Sequence, residues 1–321
     1  IGLVWRAGDW LVKFPGTTRN LQGSVPSYTT APVSEWLGSH VYAALGIPVH
    51  ETVLGIRDGR IVCACRDFTF PDSRLVNFHD LKTSLSDDEP GFTEDASTGS
   101  GVVLADVRSA IHRIPVLRSI DGVSDRFWDM FVVDAFIRNI DRNNTNWGVL
   151  RNPRGEFSLA PVYDNGNSFN NKRTDSGIER RLANPDLIRQ DALDVRSCYV
   201  TDRGKPIAPL KYLASGQDEE CTKALDRFME RYDPRSFHDL LGSIPSMSHG
   251  LTVVPDGFHE YHRRVCDYRY EHAFMEAWRD LHPTVGVPSS PEASVPEPLP
   301  DPDPSVLPSS SVPTCFDGPG M

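Results

Sequence analysis

The chain has no excess of basic charge, no apolar run of membrane length and no cysteine framework, and each absence removes a class of function. Lys and Arg number 33 against 44 Asp and Glu, a formal charge of -11. Five of the negatives (Glu292, Glu297, Asp301, Asp303 and Asp317) follow residue 282 with no Lys or Arg among them, which leaves -6 on residues 1–282. Phosphate backbones are bound by clustered Lys and Arg, so a mildly acidic body argues against nucleic acid as a direct partner. No apolar run approaches the ~18 residues of a membrane span, and no signal-peptide pattern stands at the start. The six cysteines (Cys63, Cys65, Cys198, Cys221, Cys266 and Cys315) follow no framework spacing. They read as free thiols of a cytoplasmic protein. Cys63 and Cys65 form a C-x-C inside a strand-like stretch, where a metal site is not expected. His259 and His262, in H-E-Y-H, lack the i, i+4 spacing of a zinc-protease helix and read as surface or structural residues.

What is present falls into three parts. From Pro283 onward the chain holds eleven of its 26 prolines, interleaved with Ser, Glu and Asp. Such a stretch buries too little apolar surface to offset its ordering entropy, so 283–321 is expected to be a disordered acidic tail. Residues 1–68 read strand, strand, helix, strand, strand. A hairpin joins Gly2–Arg6 to Trp10–Phe14, with Trp10, Val12 and Phe14 on one face and Leu11 and Lys13 on the other. A helix from Ser34 to Leu45 follows, with Ser34 as its N-cap, Leu37, Val41, Ala44 and Leu45 at core spacing, and a left-handed end at Gly46. Strands His50–Ile56 and Arg60–Cys65 meet at the turn Arg57-Asp58-Gly59. The opening on Ile1, directly in a strand, is expected to be an incomplete start.

From residue 69 to 282 the reading is mostly helical. Residues 71–118 are ambiguous, and Ser84–Gly101 reads as a flexible insertion. Asp125–Asn139 is a strong helix with Phe127, Phe131, Val132, Ala135 and Phe136 on one wide apolar face. A polar loop, Ile140–Asn146, and a hairpin of Trp147–Leu150 with Glu156–Ala160 come next. Further helices are expected over Glu220–Tyr232 and Phe258–His282. A β-rich first lobe and a helical second lobe make a two-lobed α+β fold with a cleft between them.

The chemistry concentrates between Asn139 and Ser168. Asp141 and Asn146 have the D-x-x-x-x-N spacing of a kinase catalytic loop, and Asp164 follows in D-N-G after the hairpin. Phosphoryl transfer needs a carboxylate to orient the acceptor hydroxyl and take its proton, and Asp141 fits that need. It also needs Mg²⁺ on a few hard oxygens that leave room for water and nucleotide, and Asn146 and Asp164 supply them. Gly166 would let the backbone turn tightly past that ligand. Taken alone, Asp141 would read as part of a solvated turn. The ordered set of helix, loop, hairpin and D-x-G is what carries the reading.

The same segment resembles the HipA-like kinases, whose pattern is N-x-D-R-x-x-x-N, a hairpin, and A-P-x-Y-D. Here these stand as Asn139-Ile140-Asp141-Arg142…Asn146 and Ala160-Pro161-Val162-Tyr163-Asp164. The resemblance covers about residues 1–280, with its diagnostic motifs in the first 170. It implies a protein-kinase-like fold, ATP and Mg²⁺ as cofactors, transfer to Ser/Thr of a protein substrate with autophosphorylation, Asp141 as catalytic base, and Asn146 with Asp164 on the metal. Lys13, in L-V-K-F-P, matches the context of the family's ATP-binding lysine, and Glu35 is the acid to hold it. Cys65, Arg66, Asp67 and Phe68 look like the hinge whose backbone pairs with adenine. Arg142 is read as an anchor of the catalytic loop. One departure is Asn143, where many members have His. No G-x-G-x-x-G precedes Lys13, so a phosphate-covering loop is expected upstream of Ile1. HipA-like toxins pair with a DNA-binding antitoxin, which makes such a partner possible, but they usually carry an extra N-terminal domain that is not seen here. The rival readings are a small-molecule phosphotransferase of the aminoglycoside type and a non-catalytic ATP-binding interaction module.

Overall fold

The structure, a computed structural model, describes residues 2–5, 8–17, 29–69, 71–86 and 101–283. The proposed insertion therefore lies outside the described residues from 87 to 100, and the acidic tail does so from 284 onward. Among the described residues no helix is long and apolar enough to cross a membrane.

The first lobe is built as its hydrophobic alternation requires. Strands β1 (Gly2–Trp5), β2 (Gly8–Lys13), β3 (Thr52–Arg57) and β4 (Arg60–Arg66) form an antiparallel sheet in the order β1-β2-β4-β3. Lys13 pairs with Cys63 and Leu11 with Cys65, which puts these four side chains on one face. Leu54, Cys63 and Cys65 pack from that face into the core shared with helix α1 (Ala31–Ala44). Trp10, Val12 and Val62 are buried on the other face.

Helix α1 starts earlier than its sequence suggests. Thr30 stands at the N-cap with Pro32 in the first turn, the position where a missing N–H costs nothing. Ser34 lies inside the helix instead, and its hydroxyl donates to the Ser168 carbonyl at 3.1 Å. Leu37, Val41 and Leu45 are buried as expected, whereas Ala44 is exposed. The helix ends at Leu45, and Gly46 is left-handed with φ 70°.

The ambiguous stretch becomes strand β5 (Arg74–Asn77), helix α2 (Phe78–Ser86), the short strand β6 (Val102–Val103) and helices α3 (Leu104–Arg113) and α4 (Pro115–Arg118). Helix α5 (Val123–Ile137) carries the expected apolar face, with Phe127, Phe131, Val132, Ala135 and Phe136 all buried. It stops two residues short of Asn139 because Arg138 turns left-handed at φ 58°. The hairpin β7 (Gly148–Arg151) and β8 (Phe157–Leu159) gains a third strand, β5, that its sequence did not announce. Helix α2 then clamps the loop between α5 and β7. Phe78 N donates to Trp147 O at 2.9 Å and His79 N to Asn144 O at 2.8 Å, while the Phe78 and Trp147 rings stack at 4.2 Å.

Two short helices not foreseen, Asp175–Leu182 and Pro185–Leu193, follow the D-N-G segment. The expected helices appear as Glu219–Arg231 and as Phe258–Leu281, the latter interrupted by a π turn over Tyr270–Phe274. The result is a β-rich lobe and a helical lobe joined by one apolar core.

Candidate active site

The candidate site is organised by Lys13 and Arg142. Lys13 sits at the end of β2, and its Nζ lies 3.0 Å from Glu35 Oε2 and 2.7 Å from Asp164 Oδ1. Residues 13, 35 and 164 are thus joined although 151 positions separate the outer two. Burial alone would lower the Lys13 pKa. Glu35 and then Asp164 outweigh it and hold the ammonium above its ordinary value. Burial likewise works to raise the Glu35 carboxyl, but the neighbouring His50 and the Lys13 charge overcome it and hold it at about 2.

Arg142 is almost wholly buried and ties three segments together. Its Nε donates to Asp134 Oδ2 at 2.8 Å, and its Nη2 donates to Asn165 Oδ1 at 2.6 Å. Its Nη1 donates to the carbonyl of Asn146 at 2.9 Å and also to that of Tyr163. One guanidinium therefore brings the loop bearing Asn146 beside the segment bearing Asp164. Asp134 also accepts from Tyr42 at 2.8 Å and from Asn139 at 3.1 Å, so its buried charge is fully partnered.

Within that loop Asp141 is held from both sides. Asn143 Nδ2 donates to its Oδ1 at 2.8 Å and Asn167 Nδ2 to its Oδ2 at 2.7 Å. Asn146 Nδ2 donates to the Asp141 carbonyl at 2.7 Å. The amide nitrogen is thereby fixed, and Asn146 Oδ1, with a long 3.4 Å contact from Thr145, is the end available to a cation. Asp164 is 40% exposed at its side chain and adopts a left-handed backbone, φ 61°. For a residue with a Cβ that conformation is strained, and such strain gathers at sites the surrounding structure over-determines. The tight turn thus falls on Asp164 rather than on Gly166. At Gly166 the space is tight instead: a Cβ there would lie 3.1 Å from Glu35 Oε2.

The four residues expected to form the hinge make different contacts. Arg66 N–H donates to Glu51 O and Asp67 N–H to Asp9 O, each at 2.8 Å. The Arg66 side chain makes an exposed pair with Glu51 at 3.0 Å, and Asp67 Oδ1 accepts from the Thr69 N–H at 2.8 Å. The Phe68 ring lies 5.5 Å from that of Tyr163 and 6.4 Å from that of His50. Cys65 turns its thiol inward, next to Glu35 and His50.

Three residues near the site went unread in the sequence: His50 beside Glu35, Asn167 on Asp141, and Asp134 beneath Arg142; Asn143, noted only as a departure from the family pattern, is the second amide on Asp141. Asn167 alone left a trace, as the second Asn of D-N-G-N. The five described cysteines are free, His259 is bonded to the Ile244 carbonyl at 2.8 Å, and His262 is buried against Phe258 and Tyr261. Both histidines are structural.

With this geometry in place, comparison with known proteins is decisive. Residues 3–236 match the profile of the HipA-like C-terminal domain. The chain belongs to that family. It is 32% identical over 250 residues to the serine/threonine-protein kinase CtkA of Helicobacter pylori, covering 77% of this chain and 74% of that one. The crystal structure of the Helicobacter pylori proinflammatory kinase CtkA superposes with a TM-score of 0.76 at 28% identity, over 89% of this chain and 95% of that chain. The fold is accordingly that of a HipA-like kinase, and the expected enzyme class, serine/threonine protein kinase, is that of these relatives. HipA of Shewanella oneidensis, in complex with HipB and operator DNA, is far more distant, at 13% identity and a TM-score of 0.44 over 84% of this chain and 60% of that one. It adds nothing about partners here.

Proposed function

We propose that this HipA-like kinase transfers the γ-phosphoryl group of ATP to Ser or Thr hydroxyls of a protein substrate, its own chain included. The observation that carries the reading is the convergence of Lys13, Glu35 and Asp164 at 3.0 and 2.7 Å, with Arg142 joining their segment to the loop of Asp141 and Asn146. In this reading Lys13 binds the α- and β-phosphate oxygens, and Glu35 keeps it in place. Asp141, carried on two amide hydrogen bonds, orients the acceptor hydroxyl and takes its proton on a carboxylate oxygen. Asn146 Oδ1 and the Asp164 carboxylate are a hard-oxygen pair suited to Mg²⁺ and would hold it with water and nucleotide. When bound, the ion would neutralise charge on the transferring phosphates. Within Cys65–Phe68 the Arg66 and Asp67 N–H groups already bond to Glu51 and Asp9, so the edge for adenine is the Phe68 end of that segment, beside the Phe68 ring.

The free cysteines suit a reducing compartment, so we place the enzyme in the cytoplasm. A DNA-binding antitoxin-type partner follows from family membership alone and remains secondary. The test is incubation with ATP and Mg²⁺ followed by mass spectrometry, alongside a panel of aminoglycosides. Phosphate on Ser or Thr is the expected result. Phosphorylated aminoglycoside with unmodified protein would point to a small-molecule kinase, and nucleotide binding without any turnover would point to an interaction module.

A further inference from the structure

Glu35, His50 and Cys65 form a buried donor set that phosphoryl transfer uses only in part. A carboxylate oxygen, an imidazole nitrogen and a thiol sulfur lie within 4.8 Å of one another. They come from α1, from the segment entering β3 and from β4, elements fixed by strand pairing and by the His50 N–H bond to Val162 O at 3.0 Å. All three residues are buried, at 0%, 6% and 3% exposure. His50 Nε2 and Glu35 Oε1 approach to 3.0 Å, within ion-pair distance, and both atoms are sealed from solvent. An imidazole nitrogen and a carboxylate oxygen at this separation lack only a third donor to hold a zinc-class cation. The thiol beside them supplies one.

We propose that Glu35, His50 and Cys65 bind a zinc-class divalent cation, and that the bound cation draws Glu35 away from Lys13 and so weakens nucleotide binding. Zinc bonds to oxygen, nitrogen and sulfur run about 2.0–2.3 Å, so three donors this close converge on one ion with small side-chain movements. Thiolate with imidazole selects zinc over magnesium, the reverse of the oxygen pair at Asn146 and Asp164. On binding, the Cys65 thiol gives its proton to solvent and forms the metal–sulfur bond. Lys13, which touches Glu35, keeps 28% of its side chain exposed, so the set lies one residue behind the solvent-facing side of the candidate site. The antagonism rests on the phosphotransfer reading, while the metal site does not.

The full chain would be titrated with Co²⁺, whose thiolate charge-transfer band reports a sulfur ligand, and Zn²⁺ would then be added to displace it. One Co²⁺ per chain with that band is expected. The band should vanish in Cys65→Ser, affinity should fall about tenfold or more in His50→Gln, and Asp164→Ala should keep both. His50→Gln carries the test if Cys65→Ser does not fold. Absence of the band, or its survival in Cys65→Ser, overturns the site. Binding of a non-hydrolysable ATP analogue should weaken when one equivalent of Zn²⁺ is present. Unchanged analogue affinity overturns the antagonism, and because phosphotransfer is measured without zinc, the proposed activity is judged separately.

Discussion

Asp141 is held by two neutral amides, one on each oxygen, which orient the carboxylate while leaving its charge intact. A positioned base contributes roughly 10²–10⁴ to rate. Asp141→Asn should therefore slow phosphotransfer by that order while calorimetry shows near-parent affinity for an ATP analogue with Mg²⁺. If affinity collapses together with rate, Asp141 is a metal or structural residue. Asn167 reaches the same carboxylate from the D-N-G-N segment, and a hydrogen bond to a charged group contributes about 1.5–3 kcal/mol. Asn167→Ala is expected to lower kcat about tenfold or more with little change in KM for ATP, and an unaltered kcat would return Asn167 to the surface. Glu35 makes a prediction about acid. Its folded pKa of about 2 lies below its ordinary 4.5, so the folded state favours the carboxylate and gains stability from it above pH 4.5. That gain must fade as pH falls from 4.5 toward 2. Denaturant unfolding across this window should show the gap between parent and Glu35→Gln closing. A gap that persists unchanged to pH 2 would mean that Glu35 is not held ionised.

Helix α1 decides whether these residues meet, because it carries Glu35 on one turn and rests on the Asp164 segment with the next. Gly38 makes the close approach possible: a Cβ there would lie 2.8 Å from the Asn165 Cβ. Ser39 accepts from Asn165 Nδ2 at 3.0 Å, and Ser34 and Ser168 bond across the same seam. Gly38→Ala should push helix and segment apart, at an overpacking cost of about 1–3 kcal/mol, and should weaken nucleotide affinity even where the protein remains folded. Thermal melts with nucleotide titration would check both effects, and an unchanged affinity would show that the seam adjusts. Much at this level was legible in the sequence. The periodicity of α5, the Asp58-Gly59 hairpin turn and the β7–β8 hairpin are local signals that turn chemistry and side-chain spacing write directly. The start of α1 was misread because Ser34 is a good cap residue by type, and only the partner at Ser168 shows that its hydroxyl is engaged elsewhere. Strand β5 was missed because four residues carry too little pattern until β7 lies beside them.

At the scale of the molecule, Arg142 and Asp134 act as a keystone between α5, the Asn146 loop, the Asp164 segment and, through Tyr42, α1. Removing one partner of a buried ion pair costs about 3–5 kcal/mol because the other charge is stranded. Arg142→Gln should lose stability of that size in denaturant unfolding and lose phosphotransfer with it. The double variant Arg142→Leu with Asp134→Leu should recover part of the stability but none of the activity. A double variant as active as the parent would show that the keystone does not position the site.

The chemical parts list was present in the sequence alone: the N-x-D-R-x-x-x-N loop, the A-P-x-Y-D segment, Lys13 on its strand and Glu35 on its helix. Such motifs are readable because each depends on residue type and short-range spacing. What the tertiary structure decided is everything that depends on distant residues sharing one place. It set Lys13 between Glu35 and Asp164, put Asn167 on Asp141, moved the backbone strain from Gly166 to Asp164, and turned the Cys65 thiol toward His50 and Glu35. Contacts made across dozens of residues leave no period in the chain, because packing rather than local propensity fixes them.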